Sequence, residues 1–193
     1  MIPLRIAIFG GTFDPIHRAH ITVAREALQQ FCLDRVLFVP AANPPHKNDA
    51  GTAPYEHRYR MVELATAVEP AWVASRLEEG AGRSYSILTI EKVKSGLDPA
   101  GRLFFLIGAD AFAEIGTWYR AADVLRAAEF IVVTRPGHEY TAPPGARVHR
   151  LDTLALPVSS SEIRQKLARG EDPEELDPAV LAYIREHGLY LTG

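Results

Sequence analysis

Two histidines three residues apart, His17 and His20, close the stretch GGTFDPIHRAH (10–20), which also carries Gly10, Gly11 and Pro15. On a helix, that spacing separates two side chains by roughly 60° and keeps them on one face. Imidazoles placed together in this way can donate to phosphoryl oxygens and stabilise the charge that develops in phosphoryl or nucleotidyl transfer. Glycines immediately upstream let a backbone turn sharply and let amides approach an anion. The same stretch excludes several alternatives. GGTFDP lacks the G-x-G-x-x-G spacing of a dinucleotide fingerprint, and no G-K-[ST] follows to make a Walker loop. HxxH alone is a poor zinc site, with no glutamate beside its first histidine and no evident third ligand. The plain alternative is a tight turn carrying two satisfied histidines.

A second constellation lies far downstream in VSSSEIRQKL (158–167). Ser159 and Glu162 have capping-box spacing, which by itself explains a helix start. Ser159, Ser160 and Ser161 with Arg164 also offer hydroxyls, free amides and a guanidinium fork to a phosphate. Both readings hold together, since the cap builds the helix whose end would bind. Lys47, in NPPHK (43–47), stands on a proline-rich loop. A loop lysine is ordinarily solvated, but this one follows an apolar run at the end where α/β sheets place their ligands.

The elements that must position these residues are readable from periodicity. LRIAIF (4–9), RVLFVP (35–40), RLFFLIG (102–108) and EFIVVTR (129–135) are near-continuous apolar runs, as in strands buried on both faces. AWVASRL (71–77) and ARVHRL (146–151) are weaker strand candidates. Between them Ile21, Ala24, Leu28 and Phe31 form one helical stripe and Met61, Leu64, Ala65 and Val68 another. Ile87, Ile90 and Leu97 mark a third, ending near Gly96. The alternation predicts an α/β fold, a Rossmann-like doubly wound parallel sheet over 1–151. Residues 152–193 are expected to add a helical C-terminal appendage, with 159–170 and 177–188 as helices each stopped by glycine. The whole, 1–193, reads as one domain.

Composition sets the outer limits. Apolar residues make up 47% and charged residues 23% of the 193, which argues against a disordered chain. A net charge of −3 gives no reason to expect nucleic acid or a membrane surface as partner. Cys32 is the single cysteine, so no internal disulfide can form. With neither a signal-peptide pattern at the start nor an apolar run long enough to span a bilayer, the expected location is cytoplasmic. The sequence fixes no oligomeric state and is compatible with a homo-oligomer.

The stretch GTFDPIHRAH resembles the G-x-F-D-P-x-H-x-G-H signature of a nucleotidyltransferase superfamily, with Ala19 where glycine is usual. VSSSEIR is similar to that superfamily's I-S-S-T-x-I-R segment, Ser161 replacing threonine. Within it, TWYRAADVL (117–125) and GRSYSILTI (82–90) resemble segments of nicotinate-nucleotide adenylyltransferases. The resemblance implies transfer of AMP from ATP to nicotinate mononucleotide, giving deamido-NAD and pyrophosphate. It implies that His17 and His20, with the Gly11, Thr12 and Phe13 amides, act on the α-phosphoryl group. Lys47, Ser160 and Arg164 would hold the β,γ-phosphates of ATP, which brings Mg²⁺, and no dedicated protein metal site is expected. It further implies that Trp118, followed by Tyr119, stacks on the pyridine ring and that Ser84, Tyr85 and Ser86 surround its carboxylate. IGAD (107–110), with Gly108 and Asp110, would meet a ribose hydroxyl, and Arg135 of RPG (135–137) completes the set. Trp118 also has an ordinary reading as core. Within the superfamily the alternative is pantetheine-phosphate adenylyltransferase or another small-molecule nucleotidyltransferase; outside it, an ATP-sensing module without chemistry.

Overall fold

The computed structural model describes residues 3–43, 51–80, 82–135, 137, 139–154 and 158–191. Six strands lie among them: β1 (Arg5–Gly11), β2 (Arg35–Pro40), β3 (Trp72–Ala74), β4 (Arg102–Gly108), β5 (Glu129–Thr134) and β6 (Val148–Asp152). They form one sheet in the order β3-β2-β1-β4-β5-β6, with every neighbouring pair parallel. The chain runs outward from β1 to β3 and then returns to place β4 on β1's other side. The β1/β4 boundary is therefore the switch point, where open α/β sheets carry a ligand crevice.

Strand alternation distributes the apolar residues to two cores. Ala7, Val36, Phe38, Phe104, Leu106 and Ile131 point to one face, where they meet α1 (Arg18–Gln30) and α2 (Tyr55–Thr66). Ile8, Val39, Phe105, Ile107, Phe130 and Val132 point to the other, under α3 (Ser86–Ser95), α4 (Ala109–Ala113) and α5 (Ala121–Ala127). The expected strands are all present, with small differences. The 71–77 run pairs only over Trp72–Ala74, because β3 is an edge strand with β2 as its partner and Arg76 turns out to bind Glu56 and Glu79.

The C-terminal helices, α6 (Ser160–Ala168) and α7 (Pro178–Glu186), share the first core rather than standing apart from it. Ile163, Leu167, Val180 and Ile184 are all buried there. Both helices end as the glycines predict. Gly170 and Gly188 take left-handed φ values of 78° and 60°. Each gives a paired 5→2 and 6→1 closure, Gly170 N to Leu167 O and Glu171 N to Lys166 O, then Gly188 N to Arg185 O and Leu189 N to Ile184 O.

Candidate active site

The glycine corner sits where β1 leaves the sheet, but its geometry differs from the expectation. Neither Gly10 nor Gly11 needs a positive φ; the left-handed residue is Phe13, at φ 50°. Gly11 is required for space instead, since a Cβ there would lie 3.1–3.3 Å from three atoms of the Phe13 ring. Phe13 is itself buried, edge-on to Phe9 and to His20, with ring centroids 5.6 and 5.1 Å away. The two histidines are brought together, though not as two positions on one helical face. His17 is the N-cap of α1 in extended conformation, and His20 is its third residue. The His17 amide donates to His20 Nδ1 at 3.2 Å, and the imidazoles pack with centroids 3.8 Å apart. Burial lowers His17 to a pKa of about 4 against a weak opposing pull from Glu175. Burial, then the neighbouring His17, holds His20 well below the usual histidine range. Both imidazoles are neutral at pH 7. His17 Nδ1 is buried and has no hydrogen-bond partner among the described residues. Ala19, at the departure from the signature, packs into α1's buried side.

The serine cradle lies against this loop. Ser159 caps α6 by accepting from the Ser161 amide at 3.2 Å, so the cap uses the second helical residue rather than Glu162. Ser160 Oγ donates to Pro15 O at 3.3 Å, and Arg164 Nη1 donates to Asp14 O at 2.8 Å. These bonds join residues 145 and 150 positions apart and seat the start of α6 beside the histidine loop. Lys47 lies outside the described residues.

A cavity of about 240 Å³ opens at the switch point, lined by Gly10, Gly11, Gly108, Ser84, Ser86 and Trp118 among others. It adjoins a larger one of about 550 Å³ lined by Ser84, Tyr85, Ser86, Trp118 and Tyr119, the two sharing Ser84, Ser86, Ala111 and Trp118 as walls. Trp118 is partly exposed at the end of a single 3₁₀ turn, not within a helix; α5 starts only at Ala121. Tyr119, 53% exposed, packs against Tyr85 with ring centroids 4.5 Å apart and the planes tilted by 32°. Ser86 is the first residue of α3, whose first turn carries no acidic side chain. Its free amides and dipole suit an anion. Ser84 Oγ accepts from the Asn43 amide at 3.0 Å, so this hydroxyl also ties its loop to the end of β2. Gly108, Asp110 and Arg135 line a third cavity of about 380 Å³ at the ends of β4 and β5.

Several residues in or beneath this site carry no assignment from sequence. Arg58 is one: 2% exposed, it donates from Nε to Ala53 O and from Nη1 to Thr12 O. Its signal was readable, because a charge falls on the same buried stripe as Met61, Val62 and Ala65. Glu78 and Thr89 also line the smaller cavity, joined by a 2.7 Å hydrogen bond. Tyr190, beyond the last helix, donates to Asp14 Oδ1 at 2.6 Å and left no pattern in the sequence.

A family model described as cytidylyltransferase-like matches residues 8–166, a span from β1 into α6 that takes in both the histidine corner and the serine cradle. The class is thus a cytidylyltransferase-like nucleotide-binding fold. A Solibacter usitatus protein named "Probable nicotinate-nucleotide adenylyltransferase" is 60% identical over 187 residues, covering 97% of this chain and 100% of its own. A Thermus thermophilus protein of the same name is 43% identical over 189 residues, again 97% of this chain and 100% of its own. The chain belongs to the nicotinate-nucleotide adenylyltransferase family. A solved Plasmodium falciparum nicotinic acid mononucleotide adenylyltransferase, complexed with NaAD, shares the fold at a TM-score of 0.80, with 21% identity over 97% of each chain.

Proposed function

We propose that this enzyme transfers the AMP moiety of ATP to nicotinate mononucleotide, giving deamido-NAD and pyrophosphate. One observation carries the reading beyond family membership: the glycine corner and the Trp118–Ser86 pocket are neighbouring compartments with common walls. That is the arrangement needed to bring a nucleotide phosphate and a flat anionic ring into one reaction. An oxygen of the mononucleotide phosphate attacks the α-phosphorus of ATP. The bond from that phosphorus to the α,β-bridging oxygen breaks, and pyrophosphate leaves with the electron pair. The attacking phosphate has a second pKa of about 6 and is already mostly dianionic at pH 7, so no protein base is needed. Catalysis reduces to in-line positioning and stabilisation of charge on the transferring group.

To these tasks we assign His17, His20 and the Gly11–Phe13 amides at the α-phosphoryl oxygens, and Ser160, Arg164 and Lys47 at the β,γ-phosphates. Magnesium enters with ATP as the substrate complex and shields the triphosphate. Amides, hydroxyls, neutral imidazoles and a guanidinium suit phosphate oxygens better than a bare cation. Trp118 offers its face to the pyridinium ring, Ser86 and the start of α3 read the ring carboxylate, and Asp110 meets a ribose hydroxyl. The proposed setting is the cytoplasm, in keeping with a single cysteine in 193 residues.

The test is pyrophosphate release from Mg-ATP with nicotinate mononucleotide and nicotinamide mononucleotide in parallel. Release is expected with the acid and much more slowly with the amide. No release with the acid would overturn the reading, and equal rates would remove the carboxylate-reading role of Ser86.

A further inference from the structure

Asp14 is where four distant parts of the chain meet, and it is 2% exposed. Its Oδ1 accepts from the Ala53 amide at 3.0 Å and from the Tyr190 hydroxyl at 2.6 Å. Its Oδ2 lies 3.5 Å from Arg164 Nη1, the same nitrogen that donates to the Asp14 carbonyl. A second guanidinium, that of Arg58, also interacts electrostatically with this carboxylate, and the two differ in freedom. Arg58 is buried and committed to two backbone carbonyls. The Arg164 side chain is 24% exposed, and among the described residues its Nη2 makes only a long 3.4 Å contact with Ser161 Oγ. Arg164 is the cation that can choose between Asp14 and a ligand.

We infer that Tyr190 is a positioning residue for ATP: by donating to Asp14 it partly satisfies that carboxylate and leaves Arg164 free to turn toward the triphosphate. The inference rests on the reading above, in which Arg164 holds the β,γ-phosphates. A buried carboxylate oxygen that loses a charge-assisted hydrogen bond draws in whatever donor can move, and here that donor is Arg164. Tyr190 is held in place by a feature that costs energy, since its φ is 63°, in a region seldom occupied by residues other than glycine. The Schellman closure at Gly188 delivers the chain into this turn, and the turn aims the hydroxyl at Asp14. Strained backbone that presents one polar atom to a functional loop points to a role for that atom.

The experiment compares wild type, Tyr190→Phe, Arg164→Gln and the double variant, using direct titration with Mg-α,β-methylene-ATP and steady-state kinetics. Tyr190→Phe is expected to weaken analogue binding and raise the KM for ATP about tenfold, the loss of one charge-assisted hydrogen bond's worth of affinity. The KM for nicotinate mononucleotide should stay within about twofold, and Tyr190→Phe should add almost nothing in the Arg164→Gln background, as coupled residues require. Val124→Ala, which opens a cavity under α5 in the core on the other face of the sheet, controls for general loosening: it should lower Tm and leave ATP affinity unchanged. The inference falls if Tyr190→Phe binds the analogue as wild type does, or if its effect is equally large without Arg164. Failure of the wild type itself to bind the analogue would instead overturn the assigned function, and the role of Tyr190 with it.

Discussion

A neutral imidazole offers one donor where an imidazolium offers two, and burial keeps the His17 and His20 rings neutral. The part we assign them in turnover is to donate from a buried position, where such a bond is worth more than in water. His17→Asn removes the imidazole while supplying a side chain favoured at an N-cap. It is expected to lower kcat by about 10²–10³-fold, with Tm at pH 7 nearly unchanged, as measured by pyrophosphate release and thermal unfolding. The same substitution should alter stability at acid pH. The His17 pKa falls from 6.5 in the unfolded chain to about 4 in the fold, so between these values the unfolded state binds more protons and stability declines as pH falls. Fully developed, below pH 4, that penalty amounts to about 3 kcal/mol. The variant should lose the His17 share of the slope between pH 6.5 and 4 in denaturation experiments, with His20 still contributing its own; an unchanged slope would mean that His17 is not held neutral. Residue types and spacing in the sequence identified this pair, but not its geometry, because helical spacing places both on one face while the structure makes one of them the cap.

At the scale of elements, strands and helices were legible wherever a repeating apolar pattern met a punctuating glycine. β4 and β5 are continuous apolar runs, and α6 and α7 stop at Gly170 and Gly188 for a reason that local sequence contains. Connections between elements were not legible in the same way. After Trp118, Arg120 takes a left-handed φ of 53° and turns the chain before α5 begins, and the indole walls a cavity. Gly188→Ala tests how far one closure matters. Alanine there must adopt a φ of 60°, which costs about 1 kcal/mol and should lower Tm by about 2–4 °C in a chain of this length. Because the turn after Gly188 carries Tyr190, affinity for ATP should fall as well. A drop in Tm with ATP affinity intact would separate the helix stop from the loop it serves.

Across the molecule the sheet has two unlike ends. The carboxyl ends of β1, β2 and β4 carry the site's cavities and the histidine corner, whereas the amino ends of β4, β5 and β6 carry an ionic cluster. There Glu129 accepts two bonds from Arg102, at 3.0 and 2.6 Å, and lies 2.8 Å from His149 Nε2, with Arg147 farther off at 3.9 Å. The Arg102 bonds, with His149 adding to them, depress the Glu129 carboxyl to a pKa of about 2. Its contribution to stability is present above pH 4.5 and is lost as pH falls toward 2. Such a cluster pins strands that are distant in sequence, and periodicity cannot reveal it, because Arg102, Glu129 and His149 are each unremarkable in their own segments. The same holds for Asp14 and Tyr190 at the other end: the motif residues were legible, and the distant residues that hold them were not. Glu129→Gln should therefore cost about 2 kcal/mol at pH 7, since it leaves Arg102 beside a neutral partner at a site only partly open to water. Tm should fall by roughly 4–8 °C, while kcat and both KM values at 25 °C stay within about twofold, because the side chains that Glu129 touches, Arg102, His149 and Arg147, line none of the site's cavities. His17→Asn should show the reverse, with turnover lost and Tm kept. If Glu129→Gln also reduced turnover at 25 °C, the two ends of the sheet would be coupled through β4 and β5, and chemistry and stability would not be divided along the strands.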